Sequence, residues 1–131
     1  MPTPALQLGG MHTRARTALD GLWRYVVDPF DIARRKPRDR RTVWRDLPED
    51  VISGPLIEYE WASSPTILLP GDWNSRVNEL SFYEGTVYFS RRFESAHQPN
   101  ERVFLQFDAV NYRRVVWLNG EELGAHEGGF T

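Results

Sequence analysis

Arg113-Arg114-Val115-Val116-Trp117-Leu118-Asn119-Gly120-Glu121-Glu122-Leu123-Gly124-Ala125 reads as a β-hairpin. Its first half is rich in β-branched and aromatic side chains, which fit a pleated, half-buried surface. Asn119-Gly120 is the strongest short hairpin signal in the chain, because a type I′ turn needs positive φ at both central residues and these two residue types accept it. The pattern predicts strands over Arg113–Leu118 and Glu121–Ala125. Beyond them, Gly128-Gly129-Phe130-Thr131 reads as an open turn with no terminating signal, and the native product is expected to continue past Thr131.

Upstream of the hairpin the same period of two recurs. Over Arg102–Phe107, Val103, Leu105 and Phe107 alternate with Arg102, Phe104 and Gln106; over Thr86–Phe93, Val87, Phe89 and Arg91 oppose Tyr88, Ser90 and Arg92. Pro99-Asn100 is the turn between these two. Thr66–Leu69 is a short strand ended by Pro70-Gly71, where proline fixes φ and glycine accepts a positive one. Gly21–Val27 sets Leu22, Arg24 and Val26 on one face and Trp23, Tyr25 and Val27 on the other, and Asp28-Pro29 closes it. Asp72–Glu84 reads as a long surface loop, Asp46–Asp50 as a short helical turn and Pro55–Trp61 as a further strand. Six or seven short strands, no long helix and turns at sandwich-like spacing predict an all-β fold, an antiparallel β-sandwich.

The chain has 131 residues, enough for one domain and one core. Residues 1–18 hold Pro2, Pro4, Gly9 and Gly10 without periodicity and read as a flexible lead-in, so the folded domain is expected over 19–131. The segment 34–45 carries Arg34, Arg35, Lys36, Arg38, Arg40, Arg41 and Arg45 around Pro37, and reads as a solvated basic loop; attraction of an acidic glycan is the alternative. A net charge of −2 gives no overall pull toward nucleic acid or an anionic membrane. With no cysteine, disulfides and thiolate chemistry are excluded, and His12, His97 and His126 are too scattered to suggest a metal site. No metal or other cofactor is expected. No apolar run approaches the roughly 18 residues of a membrane span, and residues 1–11 lack the pattern of a secretory signal. The expectation is a cytoplasmic protein; a periplasmic or secreted one whose signal peptide had been removed would look the same.

Six motifs occur in order: Leu19-Asp20-Gly21-Leu22-Trp23, Leu69-Pro70-Gly71-Asp72-Trp73-Asn74, Tyr83-Glu84-Gly85-Thr86-Val87-Tyr88, Phe107-Asp108-Ala109-Val110-Asn111-Tyr112, Val116-Trp117-Leu118-Asn119-Gly120 and His126-Glu127-Gly128-Gly129-Phe130-Thr131. In that order they resemble the N-terminal sugar-binding domain of glycoside hydrolase family 2, which includes β-glucuronidases, β-galactosidases and β-mannosidases. The resemblance implies a jelly-roll-like, galactose-binding-domain-like sandwich followed by an immunoglobulin-like sandwich and a (β/α)₈ barrel as partner domains, acting on a β-glycoside. Retaining hydrolysis needs two carboxyls about 5 to 5.5 Å apart, which the resemblance places in the barrel. No catalytic residue is therefore assigned here. The family's acidic substrate contact falls beyond Thr131, and the basic segment 34–45 departs from the commonest members.

Asp72, Trp73 and Asn74 are candidates for carbohydrate binding, an indole stacking on a pyranose while carboxylate and amide bind hydroxyls. The alternative is that Trp73 plugs the end of the sandwich and Asp72 caps the turn. Asn78, Glu79, Tyr83 and Glu84 give the loop from Arg76 to Glu84 the content of a ligand site, or of a contact with the barrel of a longer protein. Asp108, Asn111 and Tyr112 read as local turn structure. Glu127 is a further sugar-binding candidate. His126 and Glu127 suggest an acid and base pair, but neighbours in a strand point to opposite faces and share no substrate easily. Gly128-Gly129 favours a domain-contact loop.

The leading reading is a non-catalytic sugar-binding domain of a retaining exo-β-glycosidase. Its rivals are an autonomous carbohydrate-binding module and a pair of Glu84 and Glu127 working within this chain. Strands deprived of partners beyond Thr131 would leave open edges, and self-association of the isolated chain is expected.

Overall fold

The computed structural model describes residues 15–31, 33 and 59–129. The basic segment 34–45, the helical turn at 46–50 and residues 55–58 of the expected strand at 55–61 lie outside the described residues, as does most of the lead-in. The chain divides into two compact units, one from Met1–Pro29 and Ser64–Arg91, the other from Phe30–Ser63 and Arg92–Thr131.

The first unit is a three-stranded antiparallel sheet. β1 (Gly21–Asp28) is central, with β2 (Thr66–Leu69) on one side and β3 (Thr86–Ser90) on the other. Trp23 lies opposite Ile67, Tyr25 opposite Phe89 and Val27 opposite Val87. Because side chains alternate along a strand, these apolar residues share one face, and Ile67 is buried there. Leu22 and Leu68, also paired, lie on the other face and are exposed. The Trp23 indole N–H donates to the Leu19 carbonyl at 2.8 Å, fixing the entry into β1. The strand runs one residue further than expected, through the buried Asp28.

β3 stops at Ser90, three residues before the expected end. Past that point the side chain of Arg91, rather than its backbone, reaches β1: its guanidinium donates to the carbonyls of Asp20, at 3.0 Å, and Leu22, at 3.4 Å. A Cβ on Gly21 would meet that guanidinium at 2.9 Å, so the glycine leaves room for it.

The connection from β2 to β3 is more ordered than a plain loop. It contains α1 (Trp73–Arg76), a single helical turn, and a 3-10 turn at Asn78–Leu80. The Leu69–Pro70 peptide is cis.

The second unit holds the hairpin. β4 (Arg113–Leu118) and β5 (Glu121–Glu127) pair antiparallel, and the return strand is two residues longer than expected. Asn119 and Gly120 have φ of 50° and 83°, as a type I′ turn requires. The register shifts between Val116, opposite Gly124, and Trp117, opposite Glu122. Leu123 is thus the extra residue of a bulge. The expected strand at Arg102–Phe107 does not form. Its alternation survives in part, Leu105 and Phe107 being half-buried between exposed neighbours, but none of the described residues offers it a ladder. Periodicity gives a segment two faces; only a partner's N–H and C=O groups make it a strand. The turn ahead of it is as expected, closed by the Glu101 amide on the Gln98 carbonyl at 2.9 Å and by the Gln98 amide on the Glu101 carboxylate, also at 2.9 Å.

Every described strand pairing is antiparallel and helix is confined to single turns, so the fold class is all-β. A Cβ on Gly120 would touch nothing within 4 Å, leaving backbone conformation as the one source of strain. Gly120→Ala is expected to lower stability by about 1 kcal/mol in urea denaturation, the cost of placing a Cβ in the left-handed region; an unchanged midpoint would show that this turn is not type I′ in solution.

Candidate functional site

The candidate residues from Asp72 to Glu84 occupy the link between β2 and β3, and the link is held chiefly by bonds to itself. Asp72 precedes α1 with extended backbone angles, as an N-cap does. One carboxylate oxygen accepts the Ser75 amide at 2.8 Å, and the other accepts the Ser75 hydroxyl at 2.8 Å. These bonds, the hydroxyl's first and the amide's second, hold the Asp72 carboxyl below its ordinary value, and Arg76 adds a smaller effect in the same direction. The Arg76 guanidinium itself donates to the Pro70 carbonyl at 3.1 Å. It lies where a Cβ on Gly71 would fall, so the glycine of the Pro-Gly pair admits it.

Trp73 and Asn74 turn toward the far end of the loop. The Trp73 indole N–H donates to the Tyr83 carbonyl at 3.2 Å, and its ring lies tilted against Phe89 of β3, with centroids 6.2 Å apart. The Asn74 side-chain amide donates to the same Tyr83 carbonyl at 3.1 Å and to the Leu80 carbonyl at 2.7 Å. The Tyr83 amide bonds the Leu80 carbonyl at 3.0 Å, and its hydroxyl donates to the Thr86 carbonyl at 3.0 Å. A Cβ on Gly85 would fall 2.5 Å from that hydroxyl oxygen, so the glycine is what admits the phenol. Asp72, Trp73, Asn74 and Tyr83 thus spend polar groups on the loop, and the packing of Trp73 on Phe89 accords with a plugging role.

Asn78 and Glu84 are different. Both are exposed, and their side chains have no hydrogen bond or ion pair among the described residues; the same is true of Glu79. Between them stands Phe82, 98% exposed, which the reading of the sequence passed over.

Glu127 belongs to the second unit. On β5 it lies opposite Arg113 and pairs with it at 3.6 Å between two exposed side chains, while His126 lies opposite Arg114. The two neighbours therefore face opposite sides of the hairpin, as strand geometry requires. Asp108 accepts from the Gln106 side chain at 2.9 Å, and the Tyr112 carbonyl accepts the Gly128 amide at 2.7 Å. Among the described residues no group of three or more His, Asp or Glu side chains is placed to hold a metal ion, and no helix is long and apolar enough to cross a membrane.

No family model matches the chain. It does match curated proteins. The β-glucuronidase of Canis lupus familiaris is 28% identical over 123 residues, covering 89% of this chain and 17% of that protein. That of Paenibacillus borealis is 26% identical over 122 residues, 90% of this chain and 17% of the relative. The Chlorocebus aethiops β-glucuronidase is 32% identical over 133 residues, 96% and 19% respectively. The chain is homologous to one part of the β-glucuronidases of glycoside hydrolase family 2. It spans less than a fifth of the length of these relatives.

The Asp72 cap gives a pH-dependent contribution whose sign is fixed by its direction of shift. A depressed folded pKa means that stability is fully present above the ordinary value of 3.8 and is lost as the pH falls through the folded value. Asp72→Ala should lower the melting temperature at pH 7, and the gap to wild type should close as the pH is taken below 3.8; a gap that stays constant would remove the charged cap from the account.

Proposed function

We propose that the chain is a non-catalytic sugar-binding domain of a retaining exo-β-glycosidase of the β-glucuronidase type. The supporting observation is the match itself, which takes in about nine-tenths of the chain and under a fifth of each relative. The hydrolytic chemistry then belongs to the remainder of a longer protein, whose immunoglobulin-like and barrel domains are this domain's partners. Two carboxyls about 5 to 5.5 Å apart would act there as acid/base and nucleophile.

The role of the present domain is to wall one side of a carbohydrate site. A loop tied by its own side chains suits that role, because a surface fixed before binding loses little conformational entropy when a sugar arrives. Asp72, Trp73, Asn74 and Tyr83 shape the wall, while Asn78 and Glu84 offer an amide and a carboxylate to hydroxyl groups. Glu127 is kept as a candidate only through its exposed position on β5.

The pure 131-residue chain should release no p-nitrophenol from the p-nitrophenyl β-glucuronide, β-galactoside or β-mannoside, and should give a measurable binding signal with at least one of these sugars. Steady hydrolysis by the chain alone would overturn the non-catalytic assignment.

A further inference from the structure

We propose that Asn119 is a site of spontaneous deamidation, a slow and irreversible modification that places a new carboxylate at the tip of the β4–β5 hairpin. Asparagine is among the thermally labile residues, and the chain has five: Asn74, Asn78, Asn100, Asn111 and Asn119. Of these, Asn119 alone is followed by glycine; the others precede Ser75, Glu79, Glu101 and Tyr112. The residue that follows supplies the nucleophile, its own backbone nitrogen. A side chain there obstructs the approach, and glycine has none.

The fold leaves this position open. Asn119 and Gly120 are both exposed, and a Cβ on Gly120 would meet nothing within 4 Å. The Asn119 side-chain amide makes no hydrogen bond among the described residues. Asn74 is the contrast, since its amide donates to the Leu80 and Tyr83 carbonyls at 2.7 and 3.1 Å and turns only by breaking both bonds. Ring closure at Asn119 also needs the backbone of the turn to rotate. β4 and β5 form a two-stranded sheet and every residue of β5 is exposed, so the turn opens at little cost.

Water is the one co-reactant. The Gly120 nitrogen, its proton taken by hydroxide, attacks Asn119 Cγ. The new N–C bond closes a five-membered succinimide while the Cγ–Nδ2 bond breaks and ammonia leaves, a step favoured because both reacting atoms are tethered in one chain. Water then opens the ring at either carbonyl. Opening at Cγ gives aspartate; opening at the main-chain carbonyl gives isoaspartate, in which the backbone runs on through Cγ. The two products act differently on the hairpin. Asp-Gly suits a type I′ turn as Asn-Gly does, so the strand pairing survives aspartate. Isoaspartate adds one backbone atom to the turn, and turn geometry sets register, so the pairing of Leu118 with Glu121 is lost.

The test is incubation of the folded chain in mildly alkaline buffer, followed by peptide mapping with electron-transfer fragmentation, which separates aspartate from isoaspartate. Conversion should appear first at Asn119 while Asn74 stays intact, and should be lost in Gly120→Ala. Because that variant also weakens the turn, a loss of reaction in it reports the obstructed nucleophile and not a tighter fold. Asn119→Asp should melt close to the wild type, and the purified isoaspartate form should melt lower. Conversion of Asn119 in urea but not in the folded chain would overturn the proposal, as would equal rates at Asn119 and Asn100. An isoaspartate form that melts with the wild type would overturn the effect on register.

Discussion

Two side-chain donors converge on one carbonyl oxygen, that of Tyr83, and the first unit's candidate site depends on this. The Trp73 indole and the Asn74 amide arrive from the start of the loop, ten and nine residues earlier in the chain, and close it. Closure brings the Trp73 ring onto Phe89, which pairs with Tyr25 of the central strand, so the loop is fastened to the sheet that carries it. A carbonyl has two acceptor positions, and here both have a donor. The Tyr83 side chain bonds ahead to Thr86 across a glycine, so the same residue fixes the loop's exit into β3.

Much of the fold was legible in the sequence because it rested on short-range chemistry. Asn119-Gly120 dictated the turn and thereby the register of the two strands beside it. Thr66–Leu69 and Gly21–Val27 were bounded by Pro-Gly and Asp-Pro pairs that leave a strand little choice of where to stop. The failures were long-range. Arg102–Phe107 has the alternation of a strand and no described ladder, and past Ser90 it is the Arg91 guanidinium that reaches the carbonyls of Asp20 and Leu22. Neither outcome can be read from local pattern. The single helical turn at Trp73–Arg76 was hidden for a different reason: its signal is one cap, Asp72 with Ser75, in a stretch too short to show a period.

The candidate site was legible as a location and less so as a set of roles. Asp72, Trp73, Asn74 and Tyr83 have the residue types of a sugar site, and the same types are those that cap helices and close loops. Only the positions of their donors and acceptors tell the two uses apart, and those positions come from residues three to ten apart. The relation to the β-glucuronidases rests on similarity along most of the chain, and so does not depend on any of these individual roles.

The closure of the loop through the Tyr83 carbonyl is tested most directly by hydrogen exchange of the Trp73 indole N–H, resolved by NMR in the folded chain. The account predicts strong protection, lost together with that of the Tyr83 amide when Asn74 is replaced by alanine. Exchange of the Trp73 indole at the rate of a free tryptophan would contradict it.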